Sequence, residues 1–185
     1  KNRIQIFPVK NWKIEFQRAK KLGMNFIEWT LDYDTFNKNP LLKKSGIQKI
    51  KELSKKNSIA IRSLTGDCFM QKPFWKHKGK KKDELINIFK LILQNSSSIG
   101  VKKIILPLVD NGSIKNNQQL KILNSCEKVG IKYIVVPLVD NGKIRDKKTE
   151  KNLINICKKL VKELKKKKIQ ILFESDFEPK KLKKF

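Results

Sequence analysis

An α/β protein with a parallel sheet covered by helices is predicted for this chain, and three observations predict it. Short apolar runs alternate with amphipathic helical stretches along the chain, and one strand-and-helix unit occurs twice at an offset of 30 residues. Continuous apolar runs are favoured where a strand is buried on both faces, and sheets buried in that way are parallel. Neither GxGxxG nor GxxxxGK followed by Ser or Thr succeeds any strand, so both phosphate-cradling fingerprints of nucleotide-binding open sheets are missing. Periodicity alone leaves a barrel and an open doubly wound sheet both open.

The elements follow in order. Residues 4–8 (Ile-Gln-Ile-Phe-Pro) read as a short strand closed by Pro; Trp12, Phe16, Ala19 and Leu22 then recur at helical spacing, and Gly23 ends the helix. Residues 26–29 (Phe-Ile-Glu-Trp) form the next strand. After a loop containing Asn39-Pro40, Ile47, Ile50 and Leu53 mark a helix that leads to a strand over 59–64. A long loop runs to about residue 80. Leu85, Ile86, Phe89, Ile92 and Leu93 make a strongly amphipathic helix, and residues 103–108 are the following strand.

Here the repeat begins. Residues 92–118 align without gaps onto 122–148, and Pro-Leu-Val-Asp-Asn-Gly at 107–112 recurs letter for letter at 137–142. A period of about 30 residues is one helix, one strand and a loop, so the repeated object is a single α/β unit. Asp-Asn-Gly forms a turn in one reading; in the other it lines the edge where parallel sheets place their chemistry. For Asp110 and Asp140 both readings stay open, because a turn residue can also line a site. Leu153, Ile154, Ile156, Cys157, Leu160, Val161 and Leu164 then build a long helix, and residues 170–174 form a strand that ends on Glu174. Pro179 sits in the first turn of a further helix. About six parallel strands with outer helices are expected, in a single domain spanning 1–185.

Composition bounds what such a domain can do. A chain of 185 residues with 39% hydrophobic and 33% charged residues suits one globular domain with a sizeable core. No apolar run approaches the ~20 residues of a membrane span, and no secretory leader pattern opens the chain, so a soluble, cytoplasmic protein without membrane partners is expected. Cys68, Cys126 and Cys157 are odd in number and form no CxxC, which argues against a disulfide framework or a structural zinc site. The chain opens on Lys1 and stops at Phe185 inside a starting helix, and it is expected to be a fragment.

A formal charge of +27 would ordinarily place nucleic acid first among partners. Only Arg3, Arg18, Arg62 and Arg145 are arginines among 44 basic residues, whereas readers of phosphate and guanine favour Arg. The lysines are spread over the polar faces of every predicted helix and solvate them. No specific nucleic-acid partner is therefore expected.

Among the polar residues, Glu174 stands out. A carboxylate ending an apolar strand points into the mouth of a parallel barrel, where a hard cation or a reacting C–H can be reached. The bland alternative is a carboxylate that caps the next helix, a role that suits Asp176 better. Arg62 and Asp67 flank the end of a predicted strand and could face a substrate, as could Glu28, Asp140 and Asn141. Trp29 could be a stacking wall, though a Trp buried under helices is equally ordinary. His77, the only histidine, lacks a second His or a Cys/His cluster to complete a metal set.

These residues carry a resemblance. Trp12, Phe16, Ala19-Lys-Lys-Leu-Gly23 and Phe26-Ile-Glu-Trp29, then Asn39-Pro-Leu, Gly66-Asp-Cys-Phe-Met70, the stretch Val-Pro-Leu-Val-Asp-Asn-Gly ending at Gly142, and Leu172-Phe-Glu174 resemble the xylose-isomerase-like barrel superfamily, in particular its sugar phosphate isomerase/epimerase members. The resemblance implies a (β/α) barrel of TIM type, here incomplete. It implies that Glu174 matches a metal-ligating, proton-moving Glu on strand five, and that the remaining ligands, an Asp, a His and a second Glu, belong to later strands. A divalent metal (Mn, Mg, Co or Zn) is thus expected only in the complete barrel. The implied substrate is a sugar or sugar phosphate, with Glu28, Arg62, Asp67, Asp140 and Asn141 as substrate contacts. The implied reaction is metal-assisted proton transfer next to a carbonyl. The family has one strand-four unit where this chain has two, and residues 131–142 fit it better than 93–112. Two other readings compete. An endonuclease IV-like repair enzyme would account for the charge but needs several His ligands early in the barrel, and a non-catalytic, lysine-rich barrel remnant needs none. An incomplete barrel also leaves two unpaired edges and an exposed apolar interior, which predicts poor solubility or homo-oligomers.

Overall fold

The computed structural model describes residues 6–106, 132–138, 144, 146–166 and 168–184. Helix α1 (Trp12–Lys21) precedes β1 (Phe26–Thr30), and α2 (Lys44–Asn57) leads to β2 (Ala60–Thr65). The short α3 (Asp67–Gln71) and the long α4 (Gly79–Ser98) separate β2 from β3 (Lys103–Ile105). Then come β4 (Tyr133–Pro137), α5 (Lys147–Lys166), β5 (Gln170–Glu174) and α6 (Pro179–Lys184).

All five strands lie in one sheet in the order β1-β2-β3-β4-β5, and every pairing is parallel. The order decides between the two architectures left open by periodicity. A doubly wound sheet reverses its strand order at a switch point, whereas sequential parallel order is that of a (β/α)-barrel wall. The sheet is open along β1 and β5 among the described residues, as in an incomplete barrel.

Helices pack where their apolar stripes demand. Trp12, Phe16 and Ala19 are the buried residues of α1, and Leu85, Phe89, Ile92 and Leu93 are buried along α4 at intervals of three and four. They close on Trp29, Ile61, Leu64 and Ile104, which are buried on one sheet face and join the helices in a single core. Alternate strand residues face the other way. Along β5 exposure alternates residue by residue, with Gln170, Leu172 and Glu174 outward and Ile171 and Phe173 half-buried against the core side.

The repeat has a direct structural expression in the β3–β4 ladder. Lys103, Ile104 and Ile105 pair with Tyr133, Ile134 and Val135, so each residue of the ladder faces the one 30 positions later. Duplicated units thus stand side by side as successive staves. The helix expected between them lies outside the described residues.

One expectation changes. Ile4 and Gln5 lie outside the described residues, but Ile6, Phe7 and Pro8 belong to no strand. The Phe7 N–H donates to Asp32 Oδ2 at 3.0 Å, Val9 turns back onto the Phe7 carbonyl, and Pro8 has no N–H for a ladder. The last helix starts at Pro179, and its first turn bonds to the carbonyl of Glu178.

Candidate functional site

Parallel sheets gather their loops, and hence their chemistry, at the C-terminal ends of the strands. At that edge β1 and β2 bring a small acidic constellation together. The Thr65 hydroxyl donates to Glu28 Oε2 at 2.7 Å, across the β1–β2 ladder and on the face turned away from the helices. Asp67 follows as the first residue of α3 and is half-buried beside them. Burial, and then the negative charges of Asp32 and Glu28, push its carboxyl above the usual range. A carboxyl so raised keeps its proton to higher pH and can donate a hydrogen bond as well as accept one. Glu28 also lines a cavity of about 380 Å³ that runs along the outer edge of β1 between Phe7, Trp12 and Phe26.

Asp32 was not foreseen as a component of this edge. It is buried, accepts from the Phe7 N–H, and accepts from both the backbone N–H and the hydroxyl of Thr35 at 2.9 and 2.7 Å. Burial pushes its carboxyl up, but the hydrogen bonds from Thr35 and Phe7 outweigh that and hold it below the usual range. The sequence signal was an Asp just past a strand with Thr three residues on, the spacing of a local Asx turn. Asn39 is a second unforeseen residue. Fully buried, it accepts from the Trp29 indole N–H and from the Leu41 N–H, both at 3.1 Å, and donates to the Thr30 carbonyl at 3.1 Å, which fixes the chain as it leaves β1.

Trp29 lies on the core side, packed on Phe7 and Trp12 with ring centroids 5.3 and 5.8 Å away, so it is not a wall of the outward face. Arg62 is the residue at which the β1–β2 register slips; it is exposed, on the outward face, with its guanidinium 5.8 Å from the Phe26 ring. That position is in the first half of β2, away from Asp67. Glu174 ends β5 on the same outward face as Glu28, exposed, with its carbonyl accepting from the Leu138 N–H at 2.7 Å. Four strand spacings separate it from β1, or roughly 19 Å along the sheet. The sheet therefore clusters Glu28, Thr65 and Asp67, and sets Glu174 apart. Asp140 and Asn141 lie outside the described residues.

The metal implied by the resemblance can be tested on these groups. A hard cation takes six or more oxygen ligands, and Glu174 offers one exposed carboxylate. Among the described residues no group of three or more His, Cys, Asp or Glu is placed to hold a metal ion. The described residues do not fit a metal site. His77 is half-buried at the end of the 3-10 turn Phe74–Lys76, and the thiols of Cys68 and Cys157 are both pushed up by burial. No described helix is long and apolar enough to cross a membrane.

Solved structures with this architecture are sugar epimerases. D-psicose 3-epimerase in the presence of D-fructose superposes with a TM-score of 0.59 at 13% identity, covering 88% of this chain and 57% of that one. D-psicose 3-epimerase with D-tagatose from Clostridium cellulolyticum H10 gives 0.57 at 12% identity, with the same 88% and 57% coverage. The 3-keto-D-glucoside 4-epimerase YcjR from E. coli, in its apo form, gives 0.55 at 13% identity, covering 94% and 65%. The likeness at these identities is one of fold: the chain shares the barrel architecture of these epimerases. It spans 57 to 65% of their length. No protein-family model matches the chain, and no curated protein matches it in sequence.

Proposed function

We propose that the protein is a sugar or sugar phosphate isomerase or epimerase that moves a proton next to a carbonyl, with Glu174 as the base. The observation that supports this reading most is the set of carboxylates toward the C-terminal edge, Glu28 on the outward sheet face with Asp67 at the start of α3 beside it, and Glu174 on the same face at the other side. D-psicose 3-epimerases, solved in the presence of D-fructose and with D-tagatose, have the same fold.

In this reading the two carboxylate groups have different tasks. Glu174 takes the proton from the carbon beside the carbonyl, and the electron pair of that C–H bond moves into an enediolate. Return of a proton that has exchanged with solvent on Glu174 to the neighbouring carbon, while the hydroxyl proton passes to the former carbonyl oxygen, completes an isomerisation; delivery of a proton from a second acid to the opposite face of the same carbon completes an epimerisation. Glu28, held by the Thr65 hydroxyl, and Asp67 accept from sugar hydroxyls. A divalent metal is implied by the resemblance alone.

The test uses the protein expressed from its complete reading frame, with D-fructose, D-psicose and D-tagatose as substrates. Glu174→Gln keeps size and fold but removes the base, so turnover should fall by the ~10²–10⁴ attributed to general acid–base catalysis. Asp176→Asn should leave turnover unchanged. Equal losses at both positions, or full activity in Glu174→Gln, would place the chemistry on another group.

A further inference from the structure

We infer that a second, separate cavity, enclosed by the β1–α2 connection, α3 and α4, binds a small aromatic carboxylate. Its volume is about 210 Å³. An apolar protein cavity of about 150 Å³ admits benzene, so this one accommodates a six-membered ring bearing a carboxylate. Its lining comes from α3, α4 and the connections beside them, and not from the sheet face that carries Glu28 and Glu174.

The cavity is polarised from floor to rim. At the floor, Phe69 and Phe74 pack against Phe89 with ring centroids 5.0 and 5.1 Å away, and Ile92 is fully buried. A sugar placed there would bury hydroxyls against rings and methyl groups without partners, which is costly. Inorganic phosphate would leave the same floor uncovered. At the rim, Tyr33 and Ile88 remain 45% and 38% exposed and within reach of solvent. Lys72 holds its ammonium 5.1 Å from the Tyr33 ring centroid, and Lys81 lines the same cavity while touching Glu84 at 3.4 Å on the surface. Apolar depth with cations at the mouth orients an amphiphilic anion, its ring inward and its carboxylate on the ammonium groups.

Benzoate is the probe, with benzyl alcohol as its uncharged counterpart, and binding is followed by ligand-observed NMR titration. Saturable benzoate binding is expected, with benzyl alcohol weaker by about fivefold, the scale of one exposed ion pair. Ile88→Trp, a half-exposed position whose larger side chain fills the cavity, should abolish binding of both probes. Lys72→Gln, a surface change that leaves the core intact, should bring benzoate down to the level of benzyl alcohol and leave benzyl alcohol unchanged. A general attraction of benzoate to a chain of charge +27 would survive in Ile88→Trp, which leaves that charge as it is. Wild-type benzoate affinity in either variant, or no saturable binding to the wild type, overturns the inference.

Discussion

Asp67 carries a cost that pH can reveal. Its folded-state pKa is raised by burial and by the charges of Asp32 and Glu28, so the folded protein holds the proton more tightly than the unfolded chain does. The ionised carboxylate therefore lowers stability at neutral pH, and the loss is relieved as pH falls through the raised value toward the ordinary 3.8. Asp67→Asn should raise the melting temperature at pH 7, with the gain fading as the pH approaches about 4; a gain independent of pH would contradict the assignment. Asp32 behaves in the opposite sense. Its pKa is lowered, so its contribution is present above 3.8 and is lost as pH falls through the folded value. Asp32→Asn should cost about 1.5–3 kcal/mol at pH 7, the range of hydrogen bonds to a charged group, with the deficit narrowing in acid denaturation below about pH 4. Glu174, Glu28 and Asp67 were legible in the sequence because each stands at or near a strand or at its end. The Thr65–Glu28 bond spans 37 positions, and only the strand register brings its ends together.

Most elements could be read from periodicity, since α1, α2, α4 and α5 bury one stripe and expose the other. Contacts that periodicity does not carry were missed. Pro8 and the Asp32 side chain divert residues 6–8 from the sheet. Gly46 is another such contact, invisible as a helical residue. It lies in α2, where the helix crosses the 3-10 turn Pro40–Leu42, and a Cβ at this position would collide with the Pro40 carbonyl. Alanine is preferred over glycine in a helix by up to about 1 kcal/mol. Gly46→Ala should nonetheless destabilise the protein by about 1–3 kcal/mol, because the backbones of helix and turn must separate to admit the methyl group. Denaturant unfolding checks this, and a stabilised variant would show that the crossing is looser than described. The 30-residue repeat was legible as sequence, and the β3–β4 register gives it a geometric meaning.

At the scale of the molecule, a net charge of +27 surrounds an open barrel wall. If that charge serves solvation only, affinity for duplex DNA should be indifferent to abasic lesions and nearly abolished between ~50 and ~200 mM salt, because it would rest on counterion release. Tight, lesion-selective binding at the higher salt would favour a repair enzyme. The β5 edge is apolar, with Val161, Leu172 and Leu182 exposed around a cavity of about 890 Å³ between α5, β5 and α6. Strand order, and with it the barrel class, followed from alternation together with the resemblance. The proposed function is a proton transfer on a ketose at the outward face, and solvent hydrogen exchange tests that most directly. When D-fructose, D-psicose or D-tagatose is incubated in D₂O with the protein from its complete reading frame, proton transfer at Glu174 should place deuterium on the carbon beside the carbonyl, and Glu174→Gln should prevent it. A wild-type protein that converts the sugar without incorporating deuterium, or a Glu174→Gln variant that incorporates it at the wild-type rate, would contradict the account.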